Sequence, residues 1–509
     1  MNALSGLRRI STFVGILCLL GHAGIATAQE QTIRVSTVTQ LIAAINTANK
    51  TTQQTHITVA PGQYLFTQSF GSNYGPAVLP TIRSTILIIG EDAATTIFDA
   101  TAAEARLFTV LQTGNLLVRN ITLTGGIACV PDNCDFAGGG AALNFRGTLS
   151  FAECVITRNS TFLSTGEGTM AALGGGIENV EGILTLEQTK VTGNGVPGYG
   201  GGLALIGGST LIHESIISNN GADLVAEHGS FASFGAGIYV ASGELTIEFS
   251  TISGNSVGPD PTREFLDVGI GGGIFNAGTV TITNSAVTGN TASNIGSGGG
   301  IYNSGTMTIE NTTFTGNTAA TSGGGLDNAG SLGMQGVTMV NNQALGNGLG
   351  SNPVSTPSFP PGCTDGQPQT CPIGGSGVWS EPGASTQMAN SVLAGNNGSD
   401  CGGILTSNGH NALGTSAGCT LRPSPALQGH TVADQINVDP RLGTLQDNGS
   451  PGNAHYPLLA GSPLIDAGGA IGKFCTQMDQ LGQKRVEGDG KTNDGASICD
   501  IGAIEFAPH

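Results

Sequence analysis

The sequence predicts an all-β protein, a right-handed parallel β-helix solenoid of about 10 coils, with a short N-terminal capping helix and a loop-rich, disulfide-stapled C-terminal region. Three observations carry this prediction: 83 glycines in 509 residues with only 10% charged residues, an aliphatic pattern that recurs at short intervals, and an Asn at the same place in every repeat. Glycine without a Gly-X-Y period excludes collagen, and regularly spaced aliphatic residues exclude a disordered chain.

Seven repeats carry the same ladder of residue types. Successive opening glycines are separated by 35, 26, 35, 35, 27 and 25 residues. Apolar residues stand two and four positions after most of these glycines, a small residue at seven and another apolar residue at nine. Side chains alternate along a strand, so the slip in phase between positions four and seven indicates a bend between two strands. The opening glycines are Gly147, Gly182, Gly208, Gly243, Gly278, Gly305 and Gly330.

An Asn stands twelve positions after each opening glycine. Coils that stack at the spacing of β-strands would bring these amides together, where they bond to one another and to turn backbone. Asn also tolerates the left-handed conformation, which is why the sequence predicts a corner here. The glycine triplets at 174–176, 271–273, 298–300 and 323–325 predict a second corner with positive φ. The Asn residues are Asn159, Asn194, Asn220, Asn255, Asn290, Asn317 and Asn342.

Four segments are predicted along the chain. Residues 1–28 have the basic start, short apolar stretch and Ala-x-Ala site of a secretory signal peptide, and the apolar stretch is too short for a membrane anchor. Residues 29–56 form an N-terminal cap, in which 38–45 have helical periodicity. Residues 57–411 form the β-helix, with a loop excursion at 345–383, and residues 412–509 form the C-terminal segment.

Removal of the signal peptide leaves nine cysteines, eight of which fall into local pairs by sequence. An exported protein makes disulfides the favoured interpretation, and a zinc site is disfavoured because no C-x2-C spacing occurs. Cys154 is left over and stands in the ladder of small residues, so we expect a buried, inert thiol. The predicted pairs are Cys129 with Cys134, Cys363 with Cys371, Cys401 with Cys419, and Cys475 with Cys499.

The charge balance limits the classes of partner. Loss of Arg8 and Arg9 with the signal peptide takes the formal net charge from −18 to −20. Such a chain is a poor electrostatic match for nucleic acid and for polyanionic sugars. No other segment is long and apolar enough to span a membrane, and we expect a monomer whose partner is a polysaccharide or cell-surface glycan.

Several stretches resemble known exported proteins. "GGGIFNAGTVTITNSAVTGN" (271–290) is similar to the repeats of bacterial right-handed β-helix proteins, including polymorphic outer membrane proteins, and "ITVAPGQYLF" (57–66) resembles the first coils of pectin-lyase-like proteins. "DPRLGTLQDNGSPGNAHYPLLAGSPLIDAG" (439–468), "DQLGQKR" (479–485) and "CDIGAIEF" (499–506) are similar to the choice-of-anchor Q domain. The resemblance implies a β-helix fold and export from the cytoplasm, but it does not specify an activity. No anchor motif precedes His509, which favours release over tethering.

One outward line of residues is a candidate ligand-binding site. The position after the Gly-Gly-aliphatic motif holds Tyr239, Phe275 and Tyr302 on consecutive coils, with Glu178 and Asp327 on the flanking coils. Exposed rings with nearby acids could form a sugar-binding platform. The alternative is a ladder in which the rings only stabilise one another.

Two further groups of polar residues are weaker candidates. Three long excursions would form a wall beside the rings: 160–173, 221–234 and 256–270. Their polar residues either take part in binding or are only solvated loop residues. Asp489, Asn493 and Asp494 lie in a Gly-rich turn whose oxygen ligands suit Ca²⁺, although the spacing fails the EF-hand pattern. No cofactor is expected apart from this weak calcium hypothesis. The polar residues of the excursions are His228, Asp260, Arg263, Glu264 and Asp267.

Catalytic residues stay unknown from sequence. Asp, Arg and Lys do not recur outward on neighbouring coils, as a polysaccharide lyase or hydrolase on this scaffold would need. The leading hypothesis is therefore a secreted, non-enzymatic surface or matrix protein that binds glycan or a partner along its elongated side. The alternative is a carbohydrate-active lyase or hydrolase of the pectin-lyase-like group.

Overall fold

The computed structural model is a parallel β-helix, as the sequence predicts. It describes residues 31–71, 74–128, 138–161, 172–222, 232–258, 268–293, 295–346, 374–425, 433–471, 474–485 and 498–506. The strands form four sheets of 21, 13, 8 and 4 strands, which we call sheets 1 to 4. Each coil contributes one strand to sheet 2, so the 13 strands described there correspond to 13 coils. The sequence repeat predicted about 10 coils.

The four sheets are built from short strands. Sheet 1 consists of Gln31–Val35, Thr55–Val59, Thr85–Ile89, Phe108–Val110, Asn115–Arg119, Ala142–Phe145, Thr148–Ala152, Ile177–Val180, Ile183–Glu187, Leu203–His213, Ile238–Glu248, Ile274–Asn276, Thr279–Thr283, Ile301–Asn303, Thr306–Glu310, Leu326–Asn328, Ser331–Gln335, Val378–Ser380, Ser385–Ala389, Cys401–Ser407 and Cys419–Pro423. Sheet 2 consists of Gly62–Leu65, Thr96–Asp99, Thr122–Thr124, Val155–Thr157, Lys190–Thr192, Ile216–Ser218, Thr251–Ser253, Ala286–Thr288, Thr313–Thr315, Thr338–Val340, Val392–Leu393, Ala412–Leu413 and Gln435–Ile436. Sheet 3 consists of Ile127–Ala128, Ser160–Thr161, Gly195–Val196, Gly221–Ala222, Ser256–Val257, Thr291–Ala292, Thr318–Ala319 and Gln343–Ala344. Sheet 4 consists of Ala172–Leu173, Gly198–Tyr199, Ala232–Phe234 and Val268–Ile270.

Equivalent positions of the repeat ladder lie opposite one another on successive coils. Leu245 pairs with Val280 and Ile247 with Ile282 on the next coil. All four side chains are buried in one continuous core. The predicted bend is also present, because the residue before position seven adopts a positive φ, as at Glu214.

The Asn ladder is buried and bonded from coil to coil. The Nδ2 of Asn255 donates to Oδ1 of Asn290 at 2.9 Å, and the backbone N–H of Asn255 donates to the same oxygen at 3.0 Å. The left-handed conformation, however, belongs to the preceding residue, as at Gly254 with φ 62° and Asn219 with φ 53°. The interpretation of Asn as the left-handed residue was therefore wrong: the buried amide serves hydrogen bonding, while its neighbour makes the turn.

The glycine triplets also form the predicted corner. The first glycine has a positive φ, for example 69° at Gly271. A Cβ on the second glycine, Gly272, would clash with the carbonyl oxygens of Gly299 and Thr291. Close approach of neighbouring coils is thus a second reason for glycine at this corner.

The helix Val38–Ala48 lies at the N-terminal end of the solenoid and confirms the predicted cap. Thr37 is its N-cap and accepts a hydrogen bond from the backbone N–H of Gln40 at 3.2 Å. Its buried face includes Leu41 and Ile45, which join the main core. No helix in the described ranges is both long enough and apolar enough to cross a membrane.

The C-terminal segment folds back along the outer face of sheet 2. Tyr456 shares a hydrogen bond with Thr315, and Thr338 accepts one from the backbone N–H of Ala503 at 3.0 Å. Sheets 1 and 2 themselves continue to Cys419–Pro423 and Gln435–Ile436, beyond residue 411.

Two predicted disulfides are confirmed, Cys401–Cys419 and Cys475–Cys499. The other two predicted pairs, Cys129 with Cys134 and Cys363 with Cys371, lie outside the described residues, as does the predicted signal peptide. Cys154 is buried, and burial raises the pKa of its thiol to about 12. A thiol with so high a pKa carries almost no reactive thiolate at neutral pH.

Candidate functional site

The aromatic residues singled out from the sequence occupy one registered line on sheet 1. Tyr239 pairs with Phe275, Phe275 with Tyr302, Tyr302 with Asp327, and Asp327 with Trp379. In the other direction the line passes through Ala204 to Glu178. We call the rings of Tyr199, Phe234, Tyr239, Phe275, Tyr302 and Trp379 the aromatic row.

Strand alternation turns these rings outward. Ile238 and Val240 flank Tyr239 and point into the core, as Ile274 does beside Phe275. The rings of Tyr239, Phe275 and Tyr302 are half-buried. We expected them to project freely into solvent, but neighbouring rings cover part of each one.

The ring geometry is that of a stacked ladder. The centroids of Tyr239 and Phe275 are 5.4 Å apart, with 23° between the ring planes, and those of Phe275 and Tyr302 are 5.6 Å apart, with 10°. Nearly parallel rings at this separation are offset-stacked, the favoured arrangement for aromatic pairs. Each ring is therefore partly covered by its neighbour, and its outer edge is the part that a ligand could contact. On the tyrosines this edge carries the phenol hydroxyl.

Three members of the row were missed from the sequence. Tyr199 and Phe234 lie on sheet 4, where their centroids are 4.9 Å apart, and the ring of Phe234 is 4.7 Å from that of Phe275. Trp379 was missed because the repeat was predicted to resume only at residue 384. The signal was present: Gly375-Ser376-Gly377-Val378 is a variant of the glycine-aliphatic motif that precedes Tyr239 and Phe275.

Two carboxyl groups lie beside Tyr302, and one of them, Asp327, stands between Tyr302 and Trp379 in the line. The Tyr302 hydroxyl donates to Oε1 of Glu381 at 3.4 Å. Asp327 is 0% exposed, its Oδ2 accepts from the Ser322 hydroxyl at 2.6 Å, and the Ser297 side chain is a second hydrogen-bond partner of this carboxyl group. Burial, and next the charge of Glu381, raise the pKa of Asp327 to about 8. Burial also raises the pKa of Glu381.

Glu178 lies on the same line, at the opposite end from Trp379, and is only 3% exposed. Its Oε2 has no hydrogen-bond partner in the part of the chain that the structure describes. Burial raises the pKa of Glu178 to about 7, although the charge of the buried Arg106 opposes the rise. The Arg106 guanidinium donates to the carbonyl oxygens of Gly138 at 2.6 Å and Gly139 at 3.1 Å. Glu178 and Asp327 thus lie on the same line as the rings, but as buried groups rather than as the exposed neighbours that we expected.

A separate group of residues could hold a cation. Ligand atoms of Glu187, His213 and Glu214 lie within 4.8 Å of one another at the bend between sheets 1 and 2. Nδ1 of His213 is 3.1 Å from each carboxylate oxygen of Glu187. The group is partly exposed, as is typical of acidic residues at a turn. The predicted calcium ligands Asp489, Asn493 and Asp494 fall outside the described residues.

The C-terminal motifs form a second buried polar group, which we call the clasp cluster: Asp479, Gln480, Arg485, Asp500 and Glu505. Arg485 is 1% exposed and its NH1 lies 2.9 Å from Oε2 of Glu505. Thr313 of sheet 2 donates to Oε1 of Gln480 at 2.6 Å. Burial and the Asp500 carboxylate raise the pKa of Glu505 to about 7 despite this ion pair. The cluster joins the C-terminal segment to the solenoid.

Comparisons with known proteins add little to this description. No family model matches the chain, and no curated protein matches it. A crystal structure of pectate lyase Pel9A is similar with 12% sequence identity and a TM-score of 0.43, covering 91% of this chain and 90% of that chain.

Proposed function

We propose that this protein is a secreted surface or matrix protein that binds glycan along the aromatic row without catalysing a reaction on it. The observation that carries the proposal is the row itself: the rings of Tyr239, Phe275 and Tyr302 stack on sheet 1, and those of Tyr199 and Phe234 of sheet 4 pack against them, in a chain with only 5% aromatic residues. An apolar strip with hydroxyls along its edge suits the C–H faces and hydroxyls of a sugar chain.

The rigid solenoid supports this role because it fixes the spacing between rings before any ligand arrives. Successive strands are ~4.8 Å apart, so the rings of Tyr239, Phe275 and Tyr302 span roughly two sugar units. A preformed surface loses little conformational freedom on binding. Affinity would build up along the row, and the hydroxyls of Tyr199 and Tyr239 would contribute orientation.

Export is the second part of the proposal. Two disulfides, Cys401–Cys419 and Cys475–Cys499, are typical of an oxidising compartment. The signal-like residues 1–28 and the similarity of 439–506 to choice-of-anchor Q domains point the same way. Mass spectrometry of protein recovered outside the cell should find a chain that begins near Gln29; an intact Met1 there would overturn this part.

A glycan array tests the binding. The protein and its Phe275→Ala variant are compared with Ile183→Ala, which removes an apolar side chain that is 54% exposed elsewhere on sheet 1. We expect Phe275→Ala to lose roughly 3- to 10-fold in retention, the range of one aromatic contact, and Ile183→Ala to lose none. Equal retention by all three proteins, or no retention by any, would contradict the proposal.

One observation favours the alternative, a polysaccharide hydrolase or lyase. Asp327 and Glu381 belong to neighbouring coils, and both carboxyls lie beside Tyr302, so an acid pair lies within the row. Glycoside hydrolysis uses two carboxyl groups with different pKa values. Assays for reducing ends and unsaturated products, with and without Ca²⁺, distinguish the two functions. Products formed by the unaltered protein and lost in Glu381→Gln would replace the binding proposal with an enzymatic one.

A further inference from the structure

Three side chains that can ligate a metal ion meet at the bend between sheets 1 and 2. Glu187 and His213 are partners in register on neighbouring strands of sheet 1, so their side chains leave the same outer face one strand apart. Nδ1 of His213 lies 3.1 Å from each carboxylate oxygen of Glu187. The side chains of His213 and Glu187 are 24% and 28% exposed, so an ion in solution can reach them.

The bend adds Glu214 to this pair. Consecutive residues of a strand face opposite ways, which would turn Glu214 inward if the strand continued. The strand ends at His213, however, and Glu214 adopts a left-handed φ of 45°, so its side chain stays partly exposed and Ser215 is the next buried residue. One ligand atom from each of Glu187, His213 and Glu214 lies within 4.8 Å of the other two.

The separations between these ligand atoms suit zinc. Zinc binds imidazole nitrogen and carboxylate oxygen at about 2.0–2.2 Å in a tetrahedral arrangement, which places neighbouring ligand atoms roughly 3.3–3.5 Å apart. The 3.1 Å between His213 and Glu187 is slightly less than this, and the partly exposed Glu214 can close the remaining distance by a change of rotamer. Two carboxylates held together without a cation repel each other, and a divalent ion removes that repulsion.

The ladder position of His213 shows that this combination is particular to two coils. In the seven repeats, the residue five positions after the opening glycine is a histidine once; the other residues at that position are Ala152, Glu187, Glu248, Thr283, Glu310 and Gln335. An imidazole among the ligands favours zinc and similar transition metals, whereas Ca²⁺ and Mg²⁺ favour oxygen ligands alone. The donor set therefore fits Zn²⁺ better than it fits Ca²⁺.

Space remains beside these side chains for a further ligand of the ion. Glu214, Phe249 and Ser450 are among the residues that line a groove of about 540 Å³ between the bend and the C-terminal segment. Nε2 of Gln188 donates to Oε2 of Glu214 at 2.7 Å, and an outer contact of this kind orients a ligating carboxylate. Three protein ligands and one free position are the arrangement of zinc sites that bind or activate a further molecule.

We propose that Glu187, His213 and Glu214 bind one Zn²⁺, which joins two adjacent coils and keeps a coordination position free for water or another oxygen ligand. The site is independent of the proposed glycan binding. His213 is at one end of the strand Leu203–His213, and Ala204, on the line of the aromatic row, is at the other. An ion that binds only the folded solenoid stabilises it, so Zn²⁺ should raise the melting temperature.

Isothermal titration calorimetry with ZnCl₂ and CaCl₂ tests the site on tag-free protein that has been treated with EDTA and dialysed. We expect one Zn²⁺ per chain, bound more tightly than Ca²⁺. His213→Ala and Glu187→Gln should each weaken Zn²⁺ binding by roughly 10-fold or more, because loss of an outer contact alone costs about 10–100-fold. Glu310→Gln is the matched control and should bind as the unaltered protein does, since Glu310 has the same ladder position but no histidine as a register partner.

Co²⁺ in place of Zn²⁺ gives a second readout, because its visible absorption reports the ligands that surround it. We expect the same spectrum for the unaltered protein and Glu310→Gln, and a different one for His213→Ala. Melting curves without metal show that each variant is folded, and Glu187→Gln, which keeps the shape of the side chain, decides the matter if His213→Ala is not. Zn²⁺ binding that is unchanged in the site variants, tighter binding of Ca²⁺ than of Zn²⁺, or no binding of Zn²⁺ by the unaltered protein would overturn the proposal.

Discussion

The aromatic row on sheets 1 and 4 and the clasp cluster on sheet 2 both lie beside buried carboxyl groups on the outside of the same solenoid. In the clasp cluster, both carboxylate oxygens of Asp479 and Asp500 accept hydrogen bonds from backbone N–H groups. At the row, Asp327 is bonded only to serine side chains, and Oε2 of the buried Glu178 has no partner among the described residues. The clasp cluster also contains a cation, Arg485, that pairs directly with Glu505.

The clasp cluster has the pattern of a structural polar group, because backbone N–H donors and a paired cation offset the cost of burying its carboxylates. The acids at the row have no ion pair with a cation at hydrogen-bonding distance among the described residues. Perturbed acids beside an open apolar strip are instead the pattern found at binding and catalytic sites. The C-terminal motifs at 479–485 and 499–506 therefore explain how the C-terminal segment is held to the solenoid, and the row is where we propose that a ligand binds.

Removal of the Arg485 charge should have the largest effect on stability. Arg485→Met would leave Glu505 buried without its cation, and breaking a buried ion pair costs about 3–5 kcal/mol. Urea unfolding should register this loss, and limited proteolysis should cut the C-terminal segment faster. Arg441→Met is the control because Arg441 is exposed; equal stability of the two variants would show that the clasp cluster does not hold the segment.

Interruption of the Asn ladder should have the next largest effect. Asn290→Ala removes an amide that bonds to Asn255 and Asn317 on the neighbouring coils, and unpaired buried groups cost about 1–3 kcal/mol. The exposed Asn115→Ala serves as its control. A melting temperature unchanged from that of the control would count against the ladder as a stabilising element.

Truncation of Phe275 should have a smaller effect on stability. Phe275→Ala interrupts the stack between Tyr239 and Tyr302, and an aromatic pair contributes about 0.5–1.5 kcal/mol beyond its buried area. The row would then act as a ladder and a binding surface at once. Tyr239→Phe retains the ring and should leave the melting temperature unchanged while weakening glycan binding; the reverse result would reduce the row to a structural ladder.

The buried acids predict a pH dependence with a defined sign. The pKa of Asp327 is raised from the ordinary 3.8 to about 8, so between these values the folded protein retains a proton that the unfolded chain has released. The free energy of unfolding must then fall as pH rises through this window. Melting curves at pH 5 and pH 8 should show a shallower decline for Asp327→Asn than for the unaltered protein. An identical decline in both would mean that Asp327 titrates normally.

The repeat made much of the row predictable, because a residue at a fixed ladder position must face the same way on every coil. Tyr239, Phe275 and Tyr302 were found from that rule. Trp379 was missed because a long excursion hides the start of its coil. Neither the burial of Asp327 nor the fold-back that brings Gln480 to Thr313 could be predicted, because both depend on contacts between distant parts of the chain.

Hydroxyl-radical footprinting tests the central claim most directly, because it reads the row and the clasp region in one experiment. The protein is labelled with and without the glycan that it retains best on the array. We predict that modification of Tyr239, Phe275 and Tyr302 falls on binding, while Met478, 46% exposed beside the clasp cluster, is modified equally in both samples. Unchanged modification along the row, or protection of Met478 instead, would contradict the account.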